Sequence, residues 1–183
     1  MTSRRGTACR APTEDSPPQL QVLYRRLFIA TIIKYANLYI YVNKQEIIKM
    51  ADVEELRKRF DNSPYALNMD MKLVELSKGY AKVKMELKKE FLNWENMIHG
   101  GVIASVLDQA FGCSLNTLDH IYVAVQLNIN YLTAAPVGET IYAESKVIHA
   151  GKKLGVSEMT VVDSKGKTIA RATGTTVSLG ERK

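Results

Sequence analysis

His99-Gly100-Gly101 stands directly before an uninterrupted apolar-rich run, and Asp108 lies inside that run. These residue types at this spacing can do chemistry. Glycines at a helix start let a ligand approach backbone N–H groups that have no intrahelical acceptor. The aligned peptide dipoles add a partial positive charge at the same point. Such an end can hold an anion, or polarise a carbonyl whose oxygen becomes negative during attack. Each donor of that kind is worth roughly 3 kcal/mol in rate. A Gly-Gly pair by itself serves equally well as punctuation between loop and helix. A second group is needed, and Asp108 is the candidate. It sits too deep in the run to cap the helix, and a carboxylate taken out of water needs a partner or a task. Alone, its functional and structural readings weigh equally.

The element that positions these residues is a helix predicted over Gly100–Leu115, the one long helix of its domain. At about 100° per residue, Val102, Ile103, Val106, Leu107, Ala110 and Phe111 fill one half of its wheel, the half that should pack on a sheet. Gly101, Ala104, Ser105, Asp108 and Gly112 fall opposite, and nearly all are small. Such a face admits a close neighbour, so the helix is expected to be buried on both sides. From Gly101 to Asp108 is seven residues, or about 10 Å of helix. Asp108 therefore cannot act on a carbonyl held at its own helix start. A second copy could supply it, if two helices ran antiparallel with small face against small face. The result is a composite site across a two-fold axis.

The rest of the chain supplies the sheet. A short helix over Val53–Phe60, with Asp52 as its cap, is predicted to end near Asp61-Asn62-Ser63-Pro64. Met71–Leu76 reads as a strand, and Tyr80–Lys88 alternates cleanly, with Ala81, Val83, Met85 and Leu87 on one face and charges on the other. A loop from Glu90 to Ile98 leads into the long helix. Four more strands follow: Tyr122–Leu132, Glu139–Ala150, Leu154–Asp163 and Thr168–Leu179. Short links join them, so the domain is α+β with an antiparallel sheet.

Composition narrows the function. Residues 1–49 hold eight Lys/Arg against three Asp/Glu, and residues 50–183 hold seventeen against sixteen. The basic excess belongs to the N-terminal segment, so a nucleic-acid face on the domain is not supported. Residues 1–49 are expected to be an extension outside the fold, and 50–183 the working domain. The segment Leu20–Ile48 is apolar but broken by Lys34 and Asn37, so it reads as an appended segment, with a membrane-surface anchor as the alternative, rather than a membrane span. Leu38-Tyr39-Ile40-Tyr41 offers no small-residue cleavage site. Two cysteines, Cys9 and Cys113, form neither a disulfide framework nor a metal spacing, and fit a reducing compartment. The three scattered histidines make no metal cluster, so no metal site is expected. A cytoplasmic location follows from these features.

Asn93-Trp94-Glu95-Asn96-Met97-Ile98-His99-Gly100-Gly101, followed by Leu107-Asp108, resembles the PaaI-like hotdog thioesterases, related to phenylacetyl-CoA and 4-hydroxybenzoyl-CoA thioesterases. The likeness runs from about Tyr65 to Leu179. It includes Val125-Gln126-Leu127-Asn128-Ile129-Asn130-Tyr131-Leu132 and Gly151-Lys152. The resemblance implies a hotdog fold, a long central helix wrapped by a five- to six-stranded antiparallel sheet. It also implies a homodimer with one continuous sheet, often paired into a homotetramer. The implied reaction is hydrolysis of an acyl-CoA thioester, with no cofactor beyond the CoA of the substrate. Carried over, the N–H of Gly100 or Gly101 polarises the thioester carbonyl. Asp108 of the partner subunit acts as general base or nucleophile. Asn93 positions the water or acyl group, and His99 orients the loop and is a candidate contact for the thioester. Some relatives carry Ser or Thr on the strand after the helix where this chain has Ala124, so Asp108 lacks that hydroxyl.

CoA phosphates call for basic residues, and Lys152, Lys153 and Arg171 are the candidates; each reads equally well as a solvated surface charge. Trp94, Met97, Leu118 and Tyr122 are candidates for the acyl pocket. Two other readings share the fold. A non-catalytic acyl-CoA sensor would have lost the acid, whereas Asp108 and Asn93 are present. A hydratase would need Asp and His working together on one loop and helix, whereas here the His precedes two glycines.

Overall fold

Alternation along Tyr80–Lys88 carries into the structure without change: Ala81, Val83, Met85 and Leu87 are all buried, with solvated residues between them. The computed structural model describes residues 53–182. Helical residues 53–61 (α1) and the short helix Pro64–Asn68 (α2) precede strands Lys72–Ser77 (β1) and Tyr80–Glu86 (β2). The long helix Gly100–Asn116 (α3) follows. Then come His120–Tyr131 (β3), Thr140–Ala150 (β4), Leu154–Asp163 (β5) and Thr168–Glu181 (β6). The expected N-terminal extension and its charge lie outside the described residues, as does Asp52. Among the described residues no helix is long and apolar enough to cross a membrane.

The six strands form one antiparallel sheet in the order β1-β2-β4-β5-β6-β3. This is the hotdog architecture, with α3 lying along the inner face. Val102, Ile103, Val106, Leu107, Ala110 and Phe111 are buried, as the wheel requires. The fit is close enough to need glycine on the sheet. A Cβ at Gly174 would lie 2.5 Å from the Phe111 ring, and one at Gly155 would lie 2.6 Å from Leu115 Cδ2. Ser114 and Ser145 exchange a buried hydrogen bond of 2.8 Å where helix meets sheet.

The opposite face of α3 is not covered within the subunit. Ala104, Ser105 and Gly112 are half-buried, and Gly101 and Asp108 are exposed. β3 is also an edge: it pairs with β6 on one side, and its other side is free among the described residues. Ile121, Val123 and Val125 on this strand are exposed, Val125 to 59%. One departure from expectation concerns Pro64. The segment Asp61-Asn62-Ser63-Pro64 ends α1, but it also starts α2, with Pro64 in the first turn, where a missing N–H removes no helical bond.

Candidate active site

The loop before α3 is held by one side chain. Asn93 Oδ1 accepts from the N–H groups of Glu95 and Met97, both at 3.0 Å, and Asn93 N–H donates to Met97 O at 2.8 Å. Asn96 takes a left-handed conformation (φ 57°), one of the few residue types to which that is open. Leu92 and Ile98 bridge across the loop, and His99 N–H donates to Phe91 O. Asn93 thus shapes the loop through its acceptor. Its side-chain N–H groups are what it has left to offer a ligand.

At the helix start His99 is the N-cap. Its Nδ1 accepts from Gly101 N–H at 2.8 Å, and its carbonyl accepts from Val102 N–H at 2.9 Å. An accepting Nδ1 places the neutral ring's proton on Nε2. Gly101 N–H is therefore taken. Gly100 N–H has no acceptor among the described residues, so of the two glycines it is the one free to meet a ligand. Beside it is a cavity of about 290 Å3, with Met97, Gly100, Ile103, Tyr131 and Leu132 in its walls. Tyr131 OH donates to Gly100 O at 3.1 Å, and its ring stands 3.3 Å from where a Gly100 Cβ would be. Ser105 Oγ donates to Gly101 O at 2.8 Å, which makes Tyr65 OH the donor in its 2.6 Å bond to Ser105 Oγ.

Asp108 lies two turns further along α3, in a separate groove of about 580 Å3. The walls are α3 from Asp108 to Asn116, the start of β3 from Ile121 to Ala124, and Leu56, Arg59 and Phe60 of α1. Although Asp108 is exposed in the single subunit, these walls strip enough water from the carboxyl to raise its pKa above the usual value. No charge or hydrogen bond contributes to that shift. Ala124 shares the groove, so the position without a hydroxyl does stand near the acid.

One subunit therefore brings Asn93, His99, Gly100 and Gly101 together and leaves Asp108 apart from them. Lys152 and Lys153 are exposed in the β4–β5 hairpin. That hairpin is at the far end of the sheet from Gly100, where Ser178 N–H donates to Lys153 O and Tyr122 OH to Gly151 O. Arg171 is exposed between buried Ala170 and Ala172 on β6, which puts it on the outer face of the sheet. Met97 lines the cavity at Gly100 and Tyr122 the groove at Asp108, whereas Trp94 is 87% exposed and Leu118 lines a third cavity beyond the end of α3. Sequence reasoning missed Tyr131 and Tyr65. Both reach the helix start from distant elements, and only the clustering of tyrosines near a Gly-Gly pair after folding exposes their role.

A model of the Thioesterase superfamily matches residues 95–170, the span from the loop before α3 into β6. A protein of Archaeoglobus fulgidus is 40% identical over 113 residues, covering 62% of this chain and 73% of its own length. Escherichia coli acyl-coenzyme A thioesterase PaaI is 29% identical over 121 residues, covering 66% of this chain and 86% of its own. The E. coli PaaI structure superposes with a TM-score of 0.67 at 26% identity, over 73% of this chain and 94% of that one. A Streptococcus mutans protein solved bound to acetyl CoA superposes with a TM-score of 0.60 at 30% identity, over 62% and 91% of the two chains. Loop, helix start, acid and sheet order thus occur here within a shared fold, and the chain belongs to the thioesterase superfamily as a PaaI-like hotdog thioesterase.

Proposed function

We propose that the protein hydrolyses acyl-CoA thioesters to the free acid and CoA, at sites shared by two subunits. The N–H of Gly100 in one subunit donates to the thioester carbonyl oxygen. Asp108 of the partner subunit takes a proton from water, whose oxygen then bonds to the carbonyl carbon. The carbonyl electron pair moves onto the oxygen facing Gly100. When it returns, the carbon–sulfur bond breaks, and the thiolate leaves with the proton that Asp108 took up. The reaction so written needs water and no cofactor.

The observation that carries this reading is the division of labour along α3. Among the described residues Gly100 N–H has no acceptor at the helix start, while the acid seven residues beyond Gly101 stands in a different groove with its pKa raised by burial. A two-fold pairing with antiparallel helices joins the two halves. The small-residue face of α3 and the free β3 edge support that pairing, because an unpaired, apolar edge strand seeks a neighbour. If the two β3 edges pair antiparallel, the hairpin end of one sheet would lie at the Gly100 end of the other, which keeps Lys152 and Lys153 as candidates for the CoA phosphates. The names of the relatives support the substrate class: the E. coli protein is an acyl-coenzyme A thioesterase, and the S. mutans neighbour binds acetyl CoA.

The deciding measurement is thiol release from phenylacetyl-, benzoyl- and straight-chain acyl-CoAs by the wild type and by Asp108→Ala. Turnover by the wild type that the variant loses supports the proposal. Binding of acyl-CoA without turnover by the wild type would make the protein a sensor instead.

A further inference from the structure

We propose that the groove starting at Asp108 receives the acyl group, and that Arg59 at its far end selects acyl groups that terminate in an anion, a carboxylate above all. The inference rests on the thioesterase reading and goes further, to the kind of acyl group the site takes.

Asp108, Gly112 and Asn116 recur every four residues, so they form one stripe down α3. From Asp108 to Asn116 the stripe is about 12 Å long. Arg59 belongs to the Asn116 end, because it also lines a smaller cavity of about 290 Å3 built around Asn116–Asp119. Among the described residues, Asp108 and Arg59 are the only charged ones lining the larger groove. Among the described residues no ion pair engages Arg59. The carboxylates Glu55 and Asp119 line only the smaller cavity, where Arg182 stands with them and bonds to Asn116 O and Oδ1.

Between the two charges the walls are mainly apolar, with Gln109 and Asn116 the polar neutral side chains among the described lining residues. Leu56, Phe60, Ile121, Tyr122 and Val123 line it, and the Tyr122 hydroxyl is engaged by Gly151 O. Cys113 is part of the wall, and burial pushes its thiol up to about 12, so it stays protonated and unreactive. Asn116 Nδ2 already donates to Gly112 O and Tyr122 O. A pantetheine arm, with two amides to satisfy, would find few partners here. A hydrocarbon chain fits, and an anion at its end meets an unpaired guanidinium.

The test compares straight-chain acyl-CoAs with their ω-carboxylated counterparts, as the ratio of kcat/KM at matched chain length. The expected ratio in the wild type favours the carboxylated substrates. In Arg59→Leu it should fall on the order of tenfold or more, the scale of a hydrogen bond to a charged group. Arg59→Lys should recover part of the preference. Because both substrates are measured on one preparation, a folding defect leaves the ratio unmoved. An unchanged ratio in Arg59→Leu overturns the proposal while leaving the thioesterase reading in place. So does an effect confined to inhibition by free CoA, which would assign Arg59 to a phosphate. If no acyl-CoA of either kind is hydrolysed, the thioesterase reading falls and this inference falls with it.

Discussion

Two faces of one helix behave in opposite ways. Towards the sheet α3 is finished: Phe111 and Leu115 press so close that β6 and β5 must carry Gly174 and Gly155 beneath them. Away from the sheet it is unfinished. Among the described residues, a Cβ added at Gly112 would meet nothing within 4 Å, and Asp108 has no bonding partner there. A glycine on the sheet side marks contact already made. On the other side small residues and a lone acid mark space kept for something not in this subunit. Stability is built on the first face, and the proposed chemistry on the second.

The largest expected effect comes from the open face. Asp108→Asn keeps the shape and removes the base, so thiol release should fall on the order of a thousandfold. Its effect on stability should have the opposite sign. Burial raises the Asp108 pKa, so the folded state holds this proton more tightly than the unfolded chain does. The contribution of Asp108 is then favourable below its unfolded pKa and is lost as pH rises through the folded value. Asp108→Asn should therefore melt higher than wild type at neutral pH. The gain should fade as pH falls into the ordinary carboxylate range. The acid limb of activity should lie above that range for the same reason. Equal melting at both pH values would remove the claim that the groove dehydrates the acid.

On the closed face, Gly174→Ala should destabilise the fold by about 1–3 kcal/mol in chemical denaturation, because Phe111 must shift. His99→Ala comes next. It deprives Gly101 N–H of its acceptor and should cost about 1 kcal/mol, the worth of an N-cap, in the same assay. Gly112→Ala has the smallest effect and again the opposite sign. Relieving a helical glycine should stabilise by roughly 0.5–1 kcal/mol. A loss at this position would mean that the paired subunit closes over Gly112 as well as over Gly101 and Ala104, leaving no ligand groove there.

Much of this contrast is legible in the sequence. The angular spacing of Val102, Ile103, Val106, Leu107, Ala110 and Phe111 assigns the packed face, and the small residues opposite assign the open one. The separation of Gly101 from Asp108 along one helix by itself implies two halves of a site. Hydrogen-bond partners are another matter. That Gly101 N–H is closed by His99, and Gly100 N–H left open, depends on one ring's orientation. Asn93 looks like a ligand-positioning amide in the sequence, yet its acceptor is engaged by Glu95 and Met97. Arg59 escapes notice because it is one of several charges on a short helix, and only folding brings α1 to the groove that starts at Asp108, with Arg59 at the Asn116 end. Pro64 signals a stop and also permits a start, and local sequence does not separate the two.

The stretch between Gly101 and Asp108 has a genetic consequence. If each catalytic unit draws its two halves from different chains, two defective alleles can rescue one another. A chain carrying Asp108→Ala and a chain carrying Gly100→Val would each be inactive as a pure population. In a mixed dimer one unit inherits both lesions and the other inherits neither. Co-expression should then restore activity that neither allele has alone.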